Sequence, residues 1–361
     1  DFGGNILFFW RRGRWSINKK GIKKILVVKL DHLGDCFMAT PIFEYLSDNL
    51  PRAQIDILCQ ESTSPIFEHN PYINKIIVFN YSRYQRGAVK GANFREIVRL
   101  IISLKKEKYD LFVDPRSDPF ASLVGFLIRA RYSVGFAREE IGGFLYTHPL
   151  HYDHRSHETE KYKKILKILD IDTPDWRPQI YLTENEKLRV NELIKNNFSK
   201  KIIACHISSG LSHRMWPLEN FRELIKKIQN VNSYYEFALL GSQHDKDFVR
   251  QILNIVHNTA VKDLTGRLTI RETYYFLAKT VIFIGNDSVL GRFACALNIL
   301  TVGLMNGAVD KNRWGLLGQN TFAFWGFDKK HRCAVDQCNY PCPHMVAIKV
   351  EDVFNVVKKF L

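Results

Sequence analysis

Short runs of consecutive apolar, mostly β-branched residues alternate along this chain with longer stretches whose apolar positions recur every three or four residues. In the first half the short runs are "KKILVVKL" (23–30), "QIDILCQ" (54–60), "KIIVFN" (75–80), "YDLFVDPR" (109–116) and "YSVGF" (132–136). Between them, "CFMATPIFEYLSDNL" (36–50), "FREIVRLIISLKKEK" (94–108) and "PFASLVGFLIRA" (119–130) read as helices. Strands that are apolar throughout belong to a parallel sheet covered on both faces, so this alternation predicts a doubly wound α/β domain.

The stretch 147–186 carries one helix and then a polar segment around Pro174 and Pro178, which marks a domain boundary near 171–185. The pattern then restarts. "KIIACHIS" (201–208), "YEFALLG" (235–241), "VIFIGND" (281–287) and "ILTVGLMNG" (299–307) read as strands. The stretches 217–230, 244–256 and 270–280 read as helices, with a short helix before 299. The expected layout is a basic aromatic extension (1–22), a Rossmann-like domain (23–175), a second Rossmann-like domain (176–345) and a final helix (346–361) packing back on the first domain. Two such domains in series are expected to face a shared cleft, with strand carboxyl ends lining it.

The chain has 361 residues, and its 52 Lys and Arg exceed its 37 Asp and Glu by 15. That excess points to an anionic partner: a phosphorylated substrate, a membrane surface or nucleic acid. Basic residues crowd the start (Arg11, Arg12, Arg14, Lys19, Lys20, Lys23, Lys24) among Phe8, Phe9, Trp10 and Trp15, a mixture suited to an anionic membrane surface. The most apolar long window, 288–309, is broken by Arg292, Asn298 and Asn306, and reads as a helix followed by a buried strand, not a membrane span. Of seven cysteines, Cys36, Cys59, Cys205 and Cys295 lie in apolar surroundings, as reduced core thiols of a cytoplasmic protein do.

Three stretches carry candidate chemistry. In "KLDHLGDC" (29–36) the turn after the first strand brings Asp31, His32, Gly34 and Asp35 to a helix start. Asp35 can serve as a simple cap, but Asp31 beside it is not explained that way. In "CHISSGLSHRMWPLENF" (205–221), Ser208, Ser209 and Arg214 precede a helix, an arrangement suited to phosphate oxygens. In "IGNDSVLGRFACAL" (284–297), Asp287 and Ser288 end a strand and Arg292 follows in the next helix. The chain contains neither G-x-G-x-x-G nor G-x-x-x-x-G-K-[ST], which argues against common NAD and P-loop functions.

In this order and spacing, these stretches resemble glycosyltransferase family 9, the ADP-heptose:lipopolysaccharide heptosyltransferases. The resemblance also rests on "PRAQIDIL" (51–58), "YDLFVD" (109–114), "FALLGS" (237–242) and "ACALNILTVGLMNG" (294–307), and spans about residues 23–307. It implies a GT-B fold and an inverting, metal-independent transfer of a sugar, heptose from ADP-heptose, to a lipopolysaccharide core or related glycan. It also implies that Asp35 is the general base and that Asp31, His32 and Gly34 lie on the acceptor side. Donor binding would fall to Ser208, Ser209, Arg214, Asp287, Ser288 and Arg292, with Asp245 or Asp247 at the ribose. Where the family usually has His, in the first turn after a D-x-G-x-x-H turn, this chain has Arg292. The implied partners are the nucleotide sugar and an anionic glycolipid, with no nucleic acid, at the cytoplasmic face of the inner membrane. A heptosyltransferase acting on protein, a nucleotide-sugar epimerase of similar fold, and a non-catalytic basic scaffold are the competing readings.

Two side clusters remain. "HRCAVDQCNYPCPH" offers Cys333, Cys338 and Cys342, flanked by His331 and His344. It reads first as reduced thiols in an ordered loop, and second as a zinc or iron site, since three thiolates and an imidazole suit either ion. No cofactor is required by the expected chemistry. His148, His151, His154 and His157 recur every three residues, but Pro149 among them favours a loop without a metal.

Overall fold

The computed structural model describes residues 16–81, 92–116, 118–137, 143–255, 260–331, 333, 338 and 340–361. The basic aromatic stretch before residue 16 therefore lies outside the described residues. The chain divides into two units, Asp1–Tyr181 and Leu182–Leu361. The division falls after the Pro174–Pro178 segment because that segment is tied to the first unit: Trp176 Nε1 donates to Met38 O at 2.9 Å and Gln179 N to Thr40 Oγ1 at 3.1 Å.

In the first unit the apolar runs form strands β1 (Lys24–Lys29), β2 (Gln54–Cys59), β3 (Lys75–Val78), β4 (Leu111–Asp114) and β5 (Tyr132–Ala137), joined by β6 (His148–His151). All pair in parallel, in the order β3-β2-β1-β4-β5-β6. Helices α1 (Leu33–Met38), α2 (Pro41–Asn49), α3 (Phe94–Lys106), α4 (Pro119–Ile128) and α5 (Glu158–Ile168) complete it. Two expectations are corrected. The single helix over 36–50 begins earlier and is broken at Ala39–Thr40, since Pro41 has no N–H to continue it and instead opens α2. The histidine-bearing loop begins with an edge strand, where Pro149 is tolerated because one side of the strand has no partner.

The second unit repeats the plan. Its strands are β7 (Lys201–His206), β8 (Tyr235–Leu239), β9 (Val261–Asp263), β10 (Ile282–Asn286), β11 (Leu300–Asn306) and β12 (Thr321–Gly326), ordered β12-β11-β10-β7-β8-β9. Its helices are α6 (Glu184–Asn197), α7 (Leu218–Val231), α8 (Lys246–Ile255), α9 (Ile270–Leu277), α10 (Val289–Ala296), α11 (Lys311–Trp314), α12 (Pro343–Val346) and α13 (Val350–Val357). In each sheet the chain returns to the middle after three strands, so the order reverses between β1 and β4 and between β7 and β10. Helices leave to opposite faces there, opening a crevice beyond the strand ends. The final helix, expected to pack back on the first domain, is built into the second unit's own core. Val350, Val353, Phe354 and Val357 of α13 join Phe221, Leu224, Ile225 and Ile228 of α7 there.

Outside the sheets, α6 is locked to α9 by a charged fork: Arg271 Nε and Nη2 reach the two Glu186 carboxylate oxygens at 2.6 and 2.9 Å. Hydrogen bonding from Arg271 pulls the Glu186 carboxyl down to about 2. A carboxyl depressed on folding stabilises the protein above its unfolded pKa and loses that contribution as pH falls toward the folded value. Glu186→Gln is therefore expected to cost about 2 kcal/mol at pH 7. It should also flatten the decline in urea-denaturation stability between roughly pH 5 and pH 2, while a parallel decline in both proteins would refute the assignment.

Candidate functional site

In the first unit β1 runs out into Leu30, Asp31 and His32, and His32 is the N-cap of α1. Gly34 and Asp35 thus occupy the first turn of α1, where a carboxylate is favoured by the helix dipole. Asp35 is half-buried and its backbone N–H is bonded to His32 O at 3.0 Å.

Asp31, by contrast, is only 2% exposed. Lys29 Nζ lies 2.7 Å from its Oδ2, Arg116 pairs with its Oδ1, and the His32 N–H donates to Oδ1 at 3.1 Å. Asp31, expected on the acceptor side, has its oxygens engaged by two cations and fixes the turn from beneath. Lys29 also donates to Tyr162 OH at 3.1 Å, and Tyr162 in turn donates to the Asp35 carbonyl at 3.3 Å. Burial opposes charge on Lys29, yet Tyr162, Asp35 and Cys36 around it hold its pKa above the ordinary lysine value.

Arg116 comes from the β4 side of the same reversal, through a residue that sequence reasoning missed. Asp114, the last residue of β4, accepts from Tyr146 OH at 2.6 Å and from the backbone N–H groups of Arg116 and Asp118 at 2.9 and 3.3 Å. Burial pushes its carboxyl up to about 6. The available signal was a glycine: a Cβ at Gly135 on β5 would lie 2.5 Å from the Tyr146 ring, so only glycine admits that tyrosine.

In the second unit Ser208, Ser209, Arg214, Asp287 and Ser288 assemble at the β7/β10 reversal. Arg214 Nη1 lies 2.7 Å from Asp287 Oδ2, and Ser209 Oγ is bonded to Asp287 O at 3.4 Å. Asn286, at the end of β10, donates to Ile207 O at 2.8 Å and accepts from Trp216 N at 2.9 Å, tying the loop after β7 to the neighbouring strand. His206, also unforeseen, ends β7 with Nε2 3.2 Å from Ser208 Oγ. Burial drives its pKa down to about 4, so the ring is neutral near pH 7. Three polar atoms at this edge are buried without a hydrogen-bond partner among the described residues: His206 Nδ1, Arg214 Nε and Ser288 Oγ. Ser288 is the N-cap of α10 yet makes no capping bond with its side chain.

The remaining candidates lie farther out. Asp245 accepts from Ser242 N and Oγ at 2.6 and 2.7 Å, closing the turn after β8, and Asp247 faces solvent beside Arg250 at 3.5 Å. Arg292 stacks over the Trp314 ring at 5.8 Å. The ligand atoms of His331, Cys333, Cys338 and Cys342 lie within 4.8 Å of one another, a set able to hold a metal ion. The other flanking histidine, His344, is buried, accepts the Asp328 N–H at 2.8 Å and stacks on Phe327. Among the described residues, no helix is long and apolar enough to cross a membrane.

Residues 97–344 match the profile of glycosyltransferase family 9 (heptosyltransferase). Lipopolysaccharide heptosyltransferase 3 of Escherichia coli K12 is 24% identical over 335 residues, covering 91% of this chain and 95% of that protein. A family 9 glycosyl transferase from Veillonella parvula matches in structure with a TM-score of 0.77 at 18% identity, covering 96% of this chain and 99% of that one. E. coli heptosyltransferase WaaC with ADP matches at 0.71 and 16% identity, covering 94% and 100%. The fold shared with these structures is GT-B.

The buried triad in the first unit is open to direct measurement. Lys29→Met leaves Asp31 with Arg116 alone and is expected to lower unfolding stability by about 3 kcal/mol at pH 7. An unchanged denaturation midpoint would show that the Lys29–Asp31 pair stores no stability.

Proposed function

The chain belongs to glycosyltransferase family 9 and is a glycosyltransferase; on that premise we propose that it transfers heptose from ADP-heptose to the core of lipopolysaccharide. The observation that carries this reading is the β7/β10 edge, where Arg214 Nε, His206 Nδ1 and Ser288 Oγ, buried and without a hydrogen-bond partner among the described residues, meet the start of α10. Such a set suits the oxygens of a nucleoside diphosphate. The ADP of the WaaC structure and the heptosyltransferase activity named for the E. coli relative support the choice of donor.

In this reading the first unit binds the acceptor and the second the donor. Asp35 removes the proton from the acceptor hydroxyl as its oxygen bonds to the anomeric carbon. The bond from that carbon to the diphosphate breaks on the opposite face, which inverts the centre, and the electron pair leaves with ADP. Arg214, held by Asp287, and Arg292 stabilise the charge that develops on the diphosphate, aided by Ser208, Ser209 and Ser288. Guanidinium groups do here what a divalent ion does in metal-dependent transferases, so the step is metal-independent. His32 and Gly34 line the acceptor side, and Asp245, nearer the sheet edge than Asp247, meets the ribose. The formal charge of +15 suits a phosphorylated glycolipid acceptor at the cytoplasmic face of the inner membrane.

Asp35→Asn is expected to lower kcat by about 10³ while the Kd for ADP stays within about twofold. Arg214→Gln should instead weaken ADP binding by roughly tenfold or more. Full turnover by Asp35→Asn removes that residue from the base role. Conversion of donor alone to a rearranged sugar overturns transfer in favour of epimerisation.

A further inference from the structure

We propose that His331, Cys333, Cys338 and Cys342 bind one thiophilic divalent ion, of the zinc or ferrous class, and that this ion holds the 208–214 loop in place through Asn306. The donor set fits. Tetrahedral metal–sulfur bonds of about 2.3 Å place sulfurs roughly 3.8 Å apart. Cys333 Sγ and Cys342 Sγ are 4.0 Å apart, and His331 Nε2 is 3.1 Å from Cys338 Sγ. Three sulfurs and one imidazole select zinc or iron over magnesium or calcium. Four protein donors also close the coordination sphere, so the ion is structural and takes no part in sugar transfer. Binding releases the thiol protons to solvent.

Asn306, the last residue of β11, is fully buried, and its Nδ2 lies 3.5 Å from Cys342 Sγ and 3.9 Å from Cys333 Sγ. The same Nδ2 donates to His213 O at 2.7 Å, while Oδ1 accepts from Ala308 N at 2.9 Å. An amide N–H aimed at sulfur is what a metal-bound thiolate requires from its surroundings, because its charge would otherwise be buried without a donor. One side chain thus joins the sulfur cluster to the residue preceding Arg214. Two more ties run the same way: Leu218 N donates to Tyr340 OH at 2.9 Å, and Trp216 Nε1 to Ile348 O at 3.0 Å. The loop that carries the Arg214–Asp287 pair is therefore braced on one side by β10 and on the other by the segment bearing Cys342. The brace exists whether or not Arg214 binds a sugar donor, so the proposal does not depend on the assigned activity.

The test uses the full chain, purified under reducing conditions from cells supplied with zinc or with iron. Elemental analysis should find about one ion per chain from at least one of the two cultures. Replacement by cobalt should give the sulfur-to-metal charge-transfer band of a tetrahedral thiolate site. Cys338→Ser should lose both ion and band. Hydrogen exchange of the 207–218 amides should accelerate about tenfold or more on chelation or in Cys338→Ser, with β1, β2 and β4 unaffected. Asn306→Ala should keep the ion, shift the band and loosen the same amides; if it fails to fold, the chelated protein and Cys338→Ser still decide. Absence of an ion from both cultures, or a Cys333–Cys342 disulfide seen as a loss of two mass units, overturns the site. An ion whose removal leaves 207–218 exchange unchanged overturns the brace.

Discussion

In each unit a buried carboxylate is held by an arginine arriving from the neighbouring strand, at the point where the sheet reverses its order. Asp31 follows β1 and receives Arg116 from beyond β4; Asp287 follows β10 and receives Arg214 from beyond β7. The constraint behind both pairs is topological. At a reversal the connecting helices leave to opposite faces, so the two central strand ends have no shared cover and their loops would otherwise be free to separate. An ion pair sunk to 2% exposure at Asp31 and 8% at Asp287 ties those loops together. Removing one partner strands a buried charge, so neither pair is easily given up.

The two reversals nevertheless differ in what is left over. In the first unit Lys29 joins Arg116 on Asp31, so two cations face one buried carboxylate, and Asp35 stands half-buried in the turn above. Two cations against one carboxylate leave a net positive charge beneath the turn that carries Asp35. In the second unit Asp287 engages only Nη1 of Arg214, and Nε remains without a partner among the described residues. The pair there orients a guanidinium without saturating it. One arrangement supports an anionic group and the other presents a cationic one, from the same sheet order.

Much of this was legible in the sequence because it is local. The apolar runs became strands almost where they stand, and the Gly34–Asp35 pair falls in the first turn of a helix as its spacing requires. What escaped was either weakly patterned or long-range. β9 is three residues long, β12 mixes aromatics with small residues, and β6 contains a proline, so none shows a continuous apolar run. The ion pair of Asp31 escaped because its partner Arg116 lies far along the chain, and only the pairing of β1 with β4 brings them together. The choice between His331 and His344 for the sulfur cluster was equally invisible, since both flank it at similar spacing, and what separates them is that His344 is held by the Asp328 N–H and the Phe327 ring.

Position 292, beyond the second reversal in α10, carries an arginine that differs from a histidine in how its charge responds to pH. Burial has already taken His206 out of the titration range near neutrality, leaving it a neutral hydrogen-bonding group beside Ser208. A histidine at 292 would gain and lose its charge across physiological pH, whereas a guanidinium does not. Stacking on Trp314 further offsets the cost of holding that cation close to the protein surface, because the ring face is attractive to charge and the planar group loses little freedom there. In the other unit burial raises the Asp114 carboxyl to about 6, and that carboxyl anchors the loop that carries Arg116.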